Sequence, residues 1–383
     1  MAVERAVRTA APHELLDAAR RELGRGYAAE QVDLLLADYS LTVLQSVAEA
    51  QHPGPPVSVH NTPEGRAFAA QEPFVADLPD GKARVHLPVS ARGDRLGILS
   101  LDLPGRNEAY EYLAELAEIA DILAHEVLVA ERDTDLYHQA RRKDRLTLAA
   151  EMQWQLLPGR SCSRPEYELG AQLEPAYTVY GDNFDWSATA DRLMLYVTNG
   201  MGEGIEASLL TSLAINALRN ARRADLPIAD QAALADQALY AHYRGRCYLS
   251  VLMFDFDLAT GQAWAVDAGS PQLLRLRDGT VERVGLDAQL PLGMFEETDY
   301  VPQKFQVMPG DRLVFASDGV YAVASPKGGE VYGDAALARA ILSTRLLPAA
   351  EVPRAILREL AGYRGTPTPD DDALVVCLDW HGR

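Results

Sequence analysis

The sequence predicts an α+β protein of two domains joined by a long helical segment. Three observations carry this. Asn107 to Leu157 contains neither Gly nor Pro, and Pro158-Gly159 closes the stretch. Before it, the alternating runs RVHLPVS and LGILSLDL flank a tight turn at Arg92-Gly93-Asp94, as in a hairpin with one buried face. After it, strand-like runs alternate with helical runs. Turns at Thr260-Gly261, Asp278-Gly279 and Pro309-Gly310-Asp311 imply antiparallel pairing.

The elements follow in chain order. Helical patterns cover His13–Leu23 and Ala28–Ala48, with a strand inside Asp33–Val43 as the alternative for the second. Pro53, Pro55 and Pro56 mark a loop, and a short helix spans Thr62–Ala70. In the Gly- and Pro-free stretch, Leu116, Ile119, Leu123, Val127 and Ala130 recur on one helical face. The middle, ERDTDLYHQARRKDR, is polar, and Leu146 to Leu157 is again amphipathic. One continuous helix of about 50 residues, roughly 75 Å long, is the expectation; two helices with a solvated hinge are the alternative. A parallel homodimer through Leu116–Ala130 would suit such a helix. The expected domain limits are 1–130, 131–158 and 159–383. Beyond them, strands are predicted at Leu193–Thr198, Tyr248–Asp255, Gln262–Asp267, Arg312–Ala316 and Ala373–Leu378. Helices are predicted at Ala207–Arg223, Asp230–His242, Ala335–Thr344 and Glu351–Tyr363.

Composition narrows the function classes. The 383 residues hold 36 Lys+Arg and 55 Asp+Glu, a formal net charge of −19. Such acidity opposes nucleic acid and anionic membrane surfaces as partners, because both demand a basic face. Cys162, Cys247 and Cys377 form no CxxC pair, which fits a reducing compartment. No signal-peptide core is visible from Met1 to Leu23, and the apolar runs fall short of a membrane span. A soluble, cytoplasmic protein is expected.

Acidic residues gather where predicted strands meet turns. Asp182 follows Gly181, Asp318-Gly319 follows LVFAS, and Asp370-Asp371-Asp372 precedes ALVVCL. Asn199-Gly200-Met201-Gly202-Glu203-Gly204 follows LMLYVT and opens a helix. Any one Asp-Gly reads as a turn. Several carboxylates at strand ends can instead converge on Mg²⁺ or Mn²⁺, which prefer oxygen ligands. Other chemistries find no support. There is no G-x-S-x-G elbow, the GMGEG stretch lacks the Lys-Ser/Thr of a phosphate loop, and only His242 and His381 follow Pro158.

From Leu148 to Trp380 the chain resembles the phosphatase domain of the SpoIIE/RsbU group of metal-dependent (PPM, type 2C) protein Ser/Thr phosphatases. The segments that carry the likeness are EMQWQLLP, PAYTVYGDNFDW, VTNGMGEGIEASLL, DAGSPQLLRLRDG, LPLGM, PGDRLVFASDGV and DDDALVV, in the family's order. The first domain resembles a GAF sensor domain through PEGRAFAAQEP, the VHLPVSARGDRLGILSLDLP hairpin and the exit helix, with a PAS-like domain as the alternative. The resemblance implies an antiparallel β-sandwich flanked by helices and a centre of two Mn²⁺ or Mg²⁺ ions. It also implies hydrolysis of phosphoserine or phosphothreonine by metal-activated water, with no phosphoenzyme. By the same resemblance Asp318 and Asp370 hold one metal, with Asp371 replacing Asp370 if the register slips by one. The carbonyl of Gly200 serves the other metal, and Asp182 holds water in that metal's shell. The implied substrate is a phosphorylated anti-sigma-factor antagonist of STAS type. Arg219, Arg222 and Arg223 would meet such a partner or form a solvated helix end.

Two positions depart from the family. Ser270 stands where His is usual, and Asn199 stands at the bridging aspartate, as a catalytic and metal-site residue with its charge removed. An amide offers one neutral oxygen donor in place of an anion. A pseudophosphatase, an enzyme with altered metal use and an inactivated enzyme all remain open.

Overall fold

The structure is a computed structural model. It describes residues 2–48, 54–142, 146–174, 179–325, 328, 330–333, 335–365 and 369–383. Pro53 of the predicted loop, 143–145 of the predicted long helix and 175–178 of the PAYTVYGDNFDW segment lie outside the described residues. The chain divides into two compact units, Met1–Arg145 and Leu146–Arg383.

The first unit contains α1 (Ala2–Thr9), α2 (Leu15–Tyr27), β1 (Glu30–Ala37), β2 (Val43–Ser46), β3 (Val57–Ser58), α3 (Pro63–Ala70), β4 (Phe74–Asp77), β5 (Ala83–Ala91), β6 (Asp94–Leu103), α4 (Arg106–Glu111), α5 (Leu113–Ala130) and α6 (Leu136–Ala140). Its six strands form one antiparallel sheet in the order β3-β2-β1-β6-β5-β4. Leu34 and Leu36 point to a core shared with α1, α2 and α5, whereas Leu35 and Ala37 point to a smaller core with Phe68 of α3. The hairpin between β5 and β6 turns through Arg92 and Gly93, both at positive φ, as its Arg-Gly-Asp sequence predicts.

Two expectations are corrected here. Ala28–Ala48 is not a helix but the hairpin of β1 and β2. Its turn is built by Asp38, whose Oδ1 accepts from the backbone N–H groups of Thr42 (2.6 Å) and Val43 (2.9 Å). The long helix is also not continuous, because α5 stops at Ala130. The next residues include Asp133, Thr134 and Asp135, which favour caps over helix interiors, and the Leu136 N–H donates to Thr134 Oγ1. The chain then folds back so that Tyr137 is buried and its hydroxyl donates to the Pro12 carbonyl at 2.6 Å. Leu116, Ile119, Leu123, Val127 and Ala130 are buried in the first unit's own core. That seam is therefore closed to a second copy.

The second unit begins with α7 (Leu148–Leu156), β7 (Ser161–Arg164), β8 (Tyr167–Glu174), β9 (Asn183–Ala188), β10 (Arg192–Gly200), α8 (Gly204–Arg223), α9 (Ile228–Tyr243) and β11 (Leu249–Asp257). It continues with β12 (Gln262–Ala268), β13 (Gln272–Arg277), β14 (Thr280–Arg283), β15 (Gln303–Gln306), β16 (Arg312–Ala316), α10 (Asp318–Tyr321), α11 (Ala336–Ser343), α12 (Val352–Arg364) and β17 (Ala373–Trp380). Two antiparallel sheets result, ordered β15-β12-β11-β10-β9 and β14-β13-β16-β17-β8-β7. Their inner faces meet in a core that includes Leu195, Val197, Phe254, Phe315, Val376 and Trp380. The outer face of the first sheet packs on α8 and α9 through Met194, Tyr196 and Met253. That of the second packs on α11 and α12 through Val314, Val375 and Cys377. Both faces of the central strands are covered, so LMLYV and ALVVCL are continuous apolar runs instead of alternating ones. Among the described residues, no helix is long and apolar enough to cross a membrane.

Candidate metal centre

Pairing brings the acidic turns to one end of the sandwich. Thr198 of β10 lies opposite Asn183 of β9, so Asn199-Gly200 and Gly181-Asp182 are neighbours. The Gly200 N–H donates to the Gly181 carbonyl at 3.3 Å. On the other sheet Ala316 pairs with Val375, and the Ser317 N–H donates to the Leu374 carbonyl at 3.1 Å. Asp318 then opens α10 beside the start of β17. Gly319 is required there, because a Cβ at this position would lie 1.9 Å from the Asp372 carbonyl oxygen.

Each predicted residue has a definite place. Asp182 is 1% exposed, and its Oδ2 has no hydrogen-bond partner among the described residues. Burial raises its carboxyl well above the usual range, and nearby Asp372, Asp318 and Asp371 push the same way. Asp371 is half-buried, and desolvation together with Asp318 lifts it to about 6. Asp370 is exposed. Asp318, Asp370 and Asp371 line one cavity of about 510 Å³ with Arg364. The Asn199 Nδ2 donates to Asp318 Oδ1 at 2.5 Å. Ser270 Oγ lies 2.9 Å from the Tyr321 hydroxyl.

The third residue of the Asp triplet does something different. Asp372 is fully buried, and its Oδ2 accepts from Gln153 Nε2 (2.8 Å), Tyr180 N (2.9 Å) and Gly181 N (3.1 Å). Gln153 also donates to the Asp182 carbonyl at 3.0 Å. Sequence reasoning missed Gln153, although it is a polar residue on the buried face of α7 with Ala149, Ala150 and Trp154. Arg219 and Arg222 are not a free basic end, because both pair with buried Asp185, at 2.7 and 2.8 Å. Arg223 is exposed.

Among the described residues, no group of three or more His, Cys, Asp or Glu side chains is arranged to hold a metal ion. The donor set nevertheless fits a hard cation. Oxygen donors face one another across the strand ends, and the buried, unpartnered Oδ2 of Asp182 needs a positive partner. What the set lacks is a carboxylate at 199.

Two facing antiparallel sheets with helices outside each, and acidic strand ends at one edge, define the PP2C-type phosphatase fold. The chain belongs to the SpoIIE family, since the profile of Stage II sporulation protein E matches residues 189–381. The structure is similar to the RsbU and RsbW domains of Rv1364c from Mycobacterium tuberculosis, with 22% identity and a TM-score of 0.50. That likeness covers 57% of this chain and 61% of that one, so this chain spans under two thirds of that relative. It is also similar to the SiaA-PP2C domain of Pseudomonas aeruginosa (22% identity, TM-score 0.48, 55% and 84% covered). A third likeness is to the PP2C phosphatase domain with a regulatory-domain fragment of SpoIIE from Bacillus subtilis (15% identity, TM-score 0.49, 83% and 86% covered). No curated protein matches the sequence.

Proposed function

We propose that the second unit is a divalent-metal-dependent protein-phosphoserine/threonine phosphatase, with Mn²⁺ or Mg²⁺ as the metal. The observation that carries this reading is the convergence of Asp182, Asp318 and Asp371 beside Gly200 at one end of the PP2C-type sandwich. Asp318 and Asp371 would hold one ion. The Gly200 carbonyl would serve a second, with Asp182 holding its water. Geometry favours Asp371 over Asp370, because Asp371 is half-buried toward Asp318 and Asp370 is exposed. Bound cations would activate a water and polarise the phosphoryl oxygen. This chain's carboxylates would position them.

The first unit is proposed as a GAF-like sensor. Its six-stranded antiparallel sheet, with helices on both faces, supports this. The substrate proposed is a phosphorylated anti-sigma-factor antagonist of STAS type. A cytoplasmic location accords with the three free thiols.

A second reading, a pseudophosphatase that binds partners without efficient catalysis, is favoured by one contact. The Asn199 amide bonds to Asp318 where a bridging carboxylate would face a cation. Hydrolysis of p-nitrophenyl phosphate and of a phosphoserine peptide with Mn²⁺ separates the two. Turnover that appears on Asn199→Asp and disappears on a further Asp318→Asn supports the phosphatase reading. No turnover in any of these chains favours the scaffold.

A further inference from the structure

We infer that Tyr321 is a substrate-binding residue whose hydroxyl, steered by Ser270, donates to the substrate's phosphoryl group at the acidic end of the sandwich. This rests on the phosphatase reading above and adds to it two residues outside the acidic turns. Strand register brings them there. Gln272 of β13 pairs with Ala316 of β16, so Ser270 and Asp318 each lie two residues beyond the same end of that ladder. On the facing sheet Asn199 pairs with Ser250 and Val251 with Ala268, and a Cβ on Gly269 would lie 2.7 Å from Ser250 Oγ. Gly269-Ser270 therefore crosses from the strands that carry Asn199 to those that carry Asp318.

Tyr321 and Asp318 are three residues apart in α10, which puts both on one face of that turn. The backbone of Tyr321 is held on both sides. Its N–H donates to the Ser317 carbonyl at 3.1 Å, and its carbonyl accepts from the Gly333 N–H at 2.9 Å. The hydroxyl meets Ser270 Oγ at 2.9 Å. Two hydroxyls bring two protons, and one bond between them consumes one. With Ser270 as donor, the phenolic proton is left to point elsewhere. Burial raises the Tyr321 hydroxyl above its ordinary value against the bond from Ser270. Asp318 and Asp182 raise it further, and Arg283, exposed at the end of β14, opposes them. The group thus stays protonated, and a donor, at neutral pH. A donor is what the acidic end is short of. Phosphoryl oxygens accept hydrogen bonds, and so do the carboxylates of Asp182, Asp318 and Asp371 and the Gly200 carbonyl. Cations can join these two sets of acceptors, but direct contact between protein and phosphoryl group demands an N–H or O–H.

The test uses the full chain carrying Asn199→Asp. It is compared with the same chain carrying Tyr321→Phe, Ser270→Ala, Ser270→Thr or, as a control, Tyr363→Phe, which removes a hydroxyl bonded to the Glu330 carbonyl. Mn²⁺ and then inorganic phosphate are titrated by calorimetry, and KM and kcat for p-nitrophenyl phosphate are measured alongside. Tyr321→Phe is expected to weaken phosphate binding about tenfold or more and to raise KM more than it lowers kcat, with Mn²⁺ affinity unchanged. Ser270→Ala should move phosphate binding the same way by less, Ser270→Thr should restore it, and Tyr363→Phe should change nothing. Phosphate affinity equal to the parent's in Tyr321→Phe, or an equal loss in Tyr363→Phe, would overturn the inference while leaving the phosphatase reading intact. A loss of Mn²⁺ affinity in Tyr321→Phe that accounts for the whole phosphate effect would overturn it too, since the residue would then only support the metal site. If the Asn199→Asp chain takes up no Mn²⁺, the metal-dependent reading itself falls and this inference with it.

Discussion

The side-chain amide of Asn199 donates to Oδ1 of Asp318 across 2.5 Å, joining the end of β10 to the first residue of α10. This contact closes the gap between the two sheets at their acidic end. It does so with a neutral donor, where a carboxylate would repel Asp318 unless a cation lay between them. Asn199 thus gives Asp318 a partner without a cation. The predictions below follow from that arrangement and from the residues that support it.

The three aspartates of the triplet should separate cleanly. Asp372→Ala strips one buried acceptor from three N–H donors and should cost about 3 kcal/mol or more in urea unfolding. Asp370→Ala, at an exposed position, should change stability by no more than about 0.5 kcal/mol. Asp371→Ala should leave stability close to the parent and abolish Mn²⁺ binding in the Asn199→Asp chain. A loss of metal with Asp370→Ala instead would move the register by one.

Asp185 is almost fully buried and depends on Arg219 and Arg222 for compensation. Arg219→Ala leaves part of that charge unpaired and also frees the Leu156 carbonyl. A loss of about 2–4 kcal/mol in chemical unfolding is expected. Arg223→Ala, at an exposed position, should cost almost nothing.

In the first unit, Leu123 on α5 belongs to the core and not to a dimer seam. Leu123→Ala should therefore destabilise the unit by about 2–5 kcal/mol. Light scattering should show the same molar mass before and after the change. A shift in mass without a loss of stability would restore the seam to an intermolecular role.

His86 provides a pH signature for the same unit. It is buried, with Nδ1 2.8 Å from Ser100 Oγ, and burial lowers its pKa below the usual value. Arg84 adds to the lowering, and Glu64 and Asp102 oppose it. The unfolded chain therefore takes up this proton at higher pH than the fold does. Stability is complete above the unfolded value of about 6.5 and is lost as pH falls from there through the folded value. Urea midpoints measured at pH 7.5 and 5.5 should differ less in His86→Gln than in the parent.

The strands of the sandwich were legible because both of their faces are buried, leaving unbroken apolar runs between clear turn residues. The strand-end aspartates were legible for the same reason. Gln153, and the role of Asp372 as a buried acceptor, were not, because both depend on contacts between residues far apart in sequence. The 28–48 hairpin was obscured by Leu34, Leu35 and Leu36, which favour helix locally but split between two faces of a sheet. The long helix was over-extended because a stretch without Gly or Pro can still break at residues that disfavour helix interiors. Asp133, Thr134 and Asp135 stand at the break, and Thr134 Oγ1 accepts the Leu136 N–H there.

The central claim is that residue 199 decides whether the acidic end of the sandwich holds metal. Calorimetric titration of Mn²⁺ into the chain as it stands and into Asn199→Asp tests it directly. The account predicts weak or undetectable binding to the first and binding stronger by on the order of a hundredfold to the second. Equal affinities in the two chains would contradict it.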